Sequence, residues 1–249
     1  MKNIDLWQPT KFVIRRGKLQ SSHNKKHVGT GSRLFANRIA AFYDEAIPVY
    51  VQGEVIDLGC GAVPLYGIYK QFASSVTCLD WPEDNSKSPF VDILHDLNTP
   101  LPLSESTFDT AILSDVLEHI YKPEQLLAEI NRILRVNGTL LLNVPFMYWL
   151  HEKPYDYFRY SEFALTKMLE ENGFTIEKFA FLGGSLEIFF DLLAKISVRV
   201  PYIGNFLAAI IYYKSAIVCN SRFGKKLSEK SSRTFPLGYG IVARKTVTV

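Results

Sequence analysis

Between residues 54 and 145 the chain alternates short apolar runs with stretches of helical periodicity, and each of the first four runs stops at or beside a carboxylate. Glu54–Leu58 closes in Gly59-Cys60-Gly61, with Asp57 as its acid. Val76–Leu79 ends at Asp80, Val91–Leu94 near Asp96, and Thr110–Leu113 at Ser114-Asp115. A fifth run, Thr139–Val144, is stopped by Pro145. Runs this short and this apolar are expected for strands covered on both faces. Helices are predicted between them at about Leu65–Phe72 and from Pro123 to about Leu134. In the second, Leu126, Leu127, Ile130, Ile133 and Leu134 share one face and Pro123 suits the first turn. Upstream, Ser32 reads as the N-cap of a helix through about Tyr43, with Leu34, Phe35, Ile39 and Phe42 near helical spacing. Downstream come a helix over Ser161–Glu171 closed by Asn172-Gly173, a strand over Phe174–Phe181 and a last strand over Gly238–Lys245. The stretches 82–89 and 100–106 and the pair Asn137-Gly138 read as loops and turns.

Strand–helix alternation of this kind predicts an α/β fold: a Rossmann-like, doubly wound, mostly parallel seven-stranded sheet, with an antiparallel last strand and a helical insertion before it. Four segments are expected: a basic N-terminal segment and helix (1–53), a core (54–182), an apolar helical insertion (183–237) and the final core strand (238–249). The formal net charge of +3 is too mild for a nucleic-acid partner. Cys60, Cys78 and Cys219 are far apart and show no CxxC spacing, so neither a disulfide framework nor a zinc site is expected from spacing. With no signal-like pattern in Met1–Thr10, a cytoplasmic location is the expectation.

In doubly wound sheets ligands sit beyond the carboxyl ends of the strands, at the point where the strand order reverses. Convergent acids at strand ends therefore mark a site. Gly59 and Gly61 permit a sharp turn and close backbone approach. Asp80, 19 residues after Gly61, suits the hydroxyls of an adenosine ribose. A dinucleotide fingerprint needs a further glycine where this chain has Pro64. Acids at the turn would repel a pyrophosphate and attract a cation, which favours S-adenosylmethionine (SAM) over NAD.

The segments VIDLGCG (55–61), FDTAILSDVLEHI (108–120) and RILRVNGTLLLNVP (132–145) resemble motif I, the motif IV region and the strand-five segment of class I SAM-dependent methyltransferases. The resemblance covers about residues 30–182 and the final strand. It implies that Asp57, Gly59, Cys60 and Gly61 hold the methionine part of the cofactor, Asp80 the ribose and Asp96 the adenine amino group. Ser114, Asp115 and Val116 would line the cofactor, with His119 as a further contact. Plainer readings stand beside these: Asp57 as a helix cap, Asp96 as a turn former, His119 as a cap, Cys60 and Cys78 as packing residues. Asp109 reads as an orienting residue outside the site. Ala62-Val63-Pro64 departs from the family pattern, which often has a third glycine.

After the fifth strand, residues 145–160 hold seven aromatic rings, too many for a plain solvated connection. Such rings stack on sugars and other flat or apolar acceptors. His151 is the candidate general base, with Asp156 and Arg159 to orient it or grip the acceptor; a structural Asp156–Arg159 pair is the alternative. The HExPxDxxR pattern is similar to that of methyltransferases associated with surface-saccharide assembly, which implies O-methylation of a saccharide or lipid-linked saccharide. A non-catalytic SAM-fold scaffold and an NAD(P)-dependent oxidoreductase are the rival readings. No metal-ligand cluster is visible in the sequence.

Within 183–237, Leu186–Val200 is apolar apart from Glu187, Asp191, Lys195 and Arg199, which recur every fourth residue, and Tyr202–Val218 is nearly all apolar. Basic residues follow: Arg222, Lys225, Lys226, Lys230 and Arg233. The segment is expected as a lid over the substrate, as a peripheral membrane contact through 186–233 at the inner membrane surface, or as a dimer surface.

Overall fold

The computed structural model describes residues 1–81 and 88–246. Apart from residues 88 and 89, the loop expected over 82–89 lies outside them, as do residues 247–249 of the final segment.

The N-terminal segment, expected only as basic, opens with a hairpin, β1 (Phe12–Arg15) and β2 (Lys18–Ser21). Arg16 and Gly17 both take positive φ (52° and 72°), the two-residue turn that matches the twist of a hairpin. Helix α1 (Arg33–Tyr50) follows. It runs seven residues past the predicted end because Ala46 and Ile47 continue its buried face. Ser32 is not a side-chain cap; its hydroxyl accepts from Tyr148 at 3.0 Å.

The core then proceeds as expected: β3 (Gly53–Leu58), a short α2 (Tyr66–Tyr69), β4 (Ala73–Asp80), a two-residue β5 (Ile93–Leu94), β6 (Phe108–Ser114), α3 (Pro123–Ile133) and β7 (Leu134–Pro145). After these come α4 (Glu162–Glu171), β8 (Phe174–Phe181), α5 (Ser185–Ser197), α6 (Gly204–Asn220), α7 (Arg222–Ser231) and β9 (Gly238–Lys245). The seven-stranded sheet has the order β5-β4-β3-β6-β7-β9-β8, with β9 antiparallel to both neighbours and the other pairings parallel. The order reverses between β3 and β6, so the site predicted from strand ends lies at the switch point. Asn137-Gly138 does not end a strand: β7 continues through it with a register shift, Asn137 at φ 64°. Asp109 anchors the start of β3, accepting from the Glu54 amide at 2.8 Å and from Arg135 at 2.6 Å.

Two apolar layers sandwich the sheet, one under α1 and the other under α3 and α4. α1 lies close on β9: a Cβ on Gly240 would come within 2.6 Å of the Phe42 ring. A buried polar residue ties α1 to the strand ends beneath it. Asn143, fully buried on β7, accepts from Tyr43 of α1 (2.9 Å) and Ser114 of β6 (2.8 Å), and donates to Asp115 (2.5 Å). Replacing it with a hydrocarbon of similar size strands a buried phenol and hydroxyl. Asn143→Leu is therefore expected to lower unfolding free energy by about 2–4 kcal/mol in urea denaturation; a change under about 0.5 kcal/mol would remove Asn143 from this role.

Candidate functional site

The turn after β3 is shaped by contacts on both sides. The amides of Gly59 and Cys60 donate to the Leu79 carbonyl (2.8 and 3.2 Å), tying the turn to β4. Gly59 has φ 66° and a Cβ there would meet Val116 at 2.5 Å, so only glycine lets the turns after β3 and β6 meet. Gly61, at φ 50°, has nothing within 4 Å of where a Cβ would stand. Its amide donates to Asp80 Oδ2 at 2.8 Å, while Asp80 Oδ1 accepts from Trp81 at 2.9 Å. Asp57 lies beneath the turn, 4% exposed, accepting from Tyr69 at 3.0 Å. Burial pushes its pKa up to about 7.

Ser114, Asp115 and Val116 fall at the end of β6, facing that turn. Asp115 takes φ 55° and is gripped by Asn143 and by Lys11, which arrives from the N-terminal segment 104 positions away. Nothing in the sequence marks Lys11 beyond its charge. Asp96 has its carboxylate in its own turn, accepting from the Asn98 amide and side chain, both at 2.9 Å. That is the turn-forming reading. Cys60 and Cys78 are buried free thiols, in keeping with packing.

The aromatic segment folds back over the turn that follows β6. Tyr157 and Phe158 donate their amides to the Glu118 carbonyl (2.9 and 3.2 Å), and the Tyr160 hydroxyl bonds Leu117 O at 3.0 Å. Tyr155 meets the Trp81 ring edge-on at 4.6 Å, beside Asp80. Trp149, Tyr155, Tyr157 and Phe158 remain exposed.

Within this fold-back, Asp156 and Arg159 form a two-pronged pair (2.5 and 2.7 Å), and Arg159 also donates to the carbonyls of Tyr148, Trp149 and Phe158. This is the structural reading: Arg159 clasps the loop. Burial alone would raise the Asp156 carboxyl, but the bonds from Arg159 and the His151 amide outweigh it and hold the pKa down to about 2. His151 Nδ1 lies 3.2 Å from Asp156 Oδ2. Burial would lower the imidazole pKa; Glu118 and Asp156 overcome this and leave it raised.

Glu118 is the residue that sequence reasoning missed. It is fully buried, its Oε1 is 3.7 Å from His119 Nε2 and 3.8 Å from His151 Nε2, and burial raises its pKa. No spacing rule finds such a group, because His151 reaches it only through the fold-back. The sequence showed no metal-ligand cluster, whereas the fold gathers Glu118, His119 and His151, with one ligand atom from each within 4.8 Å of the others. His119 therefore stands on the side of the aromatic loop, its Nδ1 2.9 Å from the Tyr155 carbonyl.

Residues 56–142, which contain the Gly59–Gly61 turn, Asp80 and the Ser114–His119 segment, match the family model described as a methyltransferase domain (Methyltransf_11). Over 135 residues the chain is 29% identical to a probable S-adenosylmethionine-dependent methyltransferase of Mycolicibacterium smegmatis, an alignment covering 50% of this chain and 52% of that one. The chain spans about half the length of the curated relatives it matches. Among solved structures, a SAM-dependent methyltransferase from Archaeoglobus fulgidus superposes with a TM-score of 0.56 at 19% identity, covering 89% of this chain and 97% of that chain. The cyclase SpnF does so at 0.52 and 20% identity, covering 85% and 81%. The chain thus has the Rossmann-like fold of these proteins, and over 56–142 it is similar to methyltransferase domains.

Proposed function

We propose that this chain is a SAM-dependent methyltransferase acting on an oxygen of a saccharide acceptor presented at a membrane surface. The observation that carries the methyl-transfer reading is the meeting of Asp57, Asp80 and Asp115 at the switch point around an open glycine turn. A pyrophosphate would be repelled there, whereas SAM brings an ammonium and a sulfonium. The donor set fits: Asp57, Gly59, Cys60 and Gly61 would hold the methionine end, Asp80 the ribose hydroxyls, and Ser114, Asp115 and Val116 the remainder. When bound, SAM supplies a methyl group on a positively charged sulfur. The chain's own part is to place the acceptor oxygen in line with that methyl, which is where most of the rate gain arises. Exposed aromatic faces at Trp149, Tyr155, Tyr157 and Phe158 offer stacking surfaces for a sugar ring beside the His119–His151 pair. Asp156 and Arg159 act as positioning residues for His151.

The membrane part of the proposal is supported by α5, whose amphipathicity is inside out. Its charged stripe faces inward: Glu187, Asp191 and Lys195 are 0, 2 and 2% exposed. Glu187 pairs with Arg38 (2.6 Å) and accepts from Ser228 (2.9 Å); Asp191 bonds Lys195, whose ammonium lies 3.5 Å from the centre of the Tyr148 ring. Phe189, Leu192 and Ile196 face outward, as do Phe206 and Ile217 of α6. Lys225, Lys226 and Lys230 of α7 are exposed alongside. An apolar face bordered by lysines complements anionic headgroups over acyl chains. Among the described residues, no helix is long and apolar enough to cross a membrane, so the contact is peripheral.

Three outcomes test this reading. SAM and S-adenosylhomocysteine should raise the melting temperature while NAD does not, and Asp80→Ala should weaken SAM at least about tenfold by calorimetry, the loss of roughly one charge-assisted bond; stabilisation by NAD alone overturns it. Asp57 gives a pH signature. Its folded pKa lies above its unfolded value, so the ligand-free protein loses stability as pH rises from about 3.8 to about 7. Asp57→Asn should accordingly raise the melting temperature of the ligand-free protein more at pH 8 than at pH 4, and an equal effect at both would contradict the assignment. Finally, the protein should float with vesicles containing anionic phosphatidylglycerol, and Leu192→Glu/Ile196→Glu should not. Absence of flotation, or a dimer abolished by the same double substitution, would replace the membrane with another occupant.

A further inference from the structure

Glu118 is hard to account for as a structural residue. It is a carboxylate with no exposure, and neither of its oxygens has a hydrogen-bond partner. Such a group is costly to bury unless a cation compensates it. Two imidazoles face it, at 3.7 and 3.8 Å, beyond hydrogen-bond range. A direct imidazolium–carboxylate contact would be closer. Ligand atoms sharing one ion stand further apart, because each lies about 2.0–2.2 Å from the metal rather than from the others.

The far side of the His119 ring is also fixed. His119 Nδ1 is 2.9 Å from the Tyr155 carbonyl, and His151 Nδ1 is 3.2 Å from the Asp156 carboxylate, itself held by Arg159. A carbonyl on the far nitrogen of an imidazole leaves the opposite nitrogen of His119 ready for a metal, while His151 Nδ1 faces the Asp156 carboxylate without a hydrogen bond. Both Nε2 atoms consequently converge on Glu118.

We propose that Glu118, His119 and His151 form a binding site for a divalent transition-metal cation, with the two Nε2 atoms and a Glu118 oxygen as ligands. Two imidazoles and one carboxylate suit zinc or cobalt; magnesium and calcium take oxygen ligands. The two imidazole side chains are 18 and 24% exposed, which leaves the remaining coordination open to solvent on the side of the aromatic loop. Three protein ligands and an open position make a catalytic rather than a sealed site.

Its role rests on the methyl-transfer reading. An acceptor hydroxyl bound at the open position loses its proton to solvent more readily, because the cation stabilises the oxyanion. The oxygen's electron pair then forms the bond to the methyl carbon as the carbon–sulfur bond breaks and its pair passes to sulfur. His151 in this scheme holds the cation instead of taking the proton itself.

The test is metal binding by the full chain, independent of any acceptor. Chelator-treated protein is equilibrated with zinc or cobalt, passed through a desalting column and analysed by mass spectrometry of the metal. The cobalt form is also examined by visible absorption. One equivalent per chain is expected, with a raised melting temperature and a cobalt spectrum showing nitrogen and oxygen ligands. His119→Ala/His151→Ala should lose the equivalent, and Asp80→Ala should keep it. Glu118→Gln should lose it too while melting higher than the metal-free parent, since a buried unpaired charge has gone. Retention of the equivalent by the double histidine variant, or less than stoichiometric metal in the parent, overturns the proposal. SAM binding measured on the histidine and Glu118 variants checks that they are folded, and circular dichroism does so for Asp80→Ala. SAM binding also separates the two readings: metal without SAM keeps the cation site and removes its role, and SAM without metal does the reverse.

Discussion

The side chain of Asn143 is the constraint around which the site is organised. It sits on β7, one strand from the switch point, and its amide has two ends with different tasks. The oxygen collects donors from α1 and β6, while the nitrogen is left to reach Asp115. Asp115 takes a left-handed backbone conformation at the end of its strand, and Asn143 and Lys11 hold it there. That kink turns the chain from β6 into the Leu117–His119 turn, and so determines where Glu118 and His119 stand. One buried amide therefore links the helix over the sheet, the turns at the switch point and the Glu118–His119–His151 cluster.

The two sides are built on different electrostatics. At the switch point the acids are satisfied by the fold: Asp80 by two amides, Asp57 by Tyr69, Asp115 by Asn143 and Lys11. Ligand charge there would be met by groups already oriented. At the cluster, Glu118 is left without a direct donor, while His119 opposite it is held by the Tyr155 carbonyl. Asp156 shows the contrast within a few residues: it is also buried, yet Arg159 and a backbone amide hold it ionised. The fold has the means to neutralise a buried carboxylate and does so at Asp156 and not at Glu118.

Most of the sheet was legible in the sequence because a parallel strand covered on both faces leaves a dense apolar run, and because each of the first four runs stops at or beside an acid. The switch-point residues followed from that. Glu118 was not legible: Leu117-Glu118-His119 is a single short turn with no periodicity to assign a face, and the residues that bury it come from a loop about 30 positions later. Lys11 was hidden for the same reason, since only the path of the N-terminal segment brings it to Asp115. The hairpin did leave a trace, in Arg16-Gly17 between two short runs, but its charges outweighed that signal in the reading. Asp156 and Arg159 are legible in the sequence as neighbouring charges, but not the bonds they make to the loop backbone.

In α5 the sequence pattern was correct and the usual inference from it failed. The four-residue recurrence of Glu187, Asp191, Lys195 and Arg199 defines one face of a helix, and the ordinary rule turns that face to water. Here the first three are buried and the leucines and phenylalanine are outside. Burial pushes Asp191 up to about 6 and Lys195 down to about 8, so the pair is held against a real desolvation penalty. A chain that folds alone in water has no reason to hide its charges and display its apolar side chains, because turning the helix about its axis would recover both terms. The orientation is favoured only if the outer face is also removed from water. The inner face, where Lys195 lies against the Tyr148 ring and Trp149, then connects whatever covers the outer face to the loop carrying His151. The outer apolar face and the His151 loop are thus on two sides of one helix, and a covering of the one would bear directly on the packing of the other.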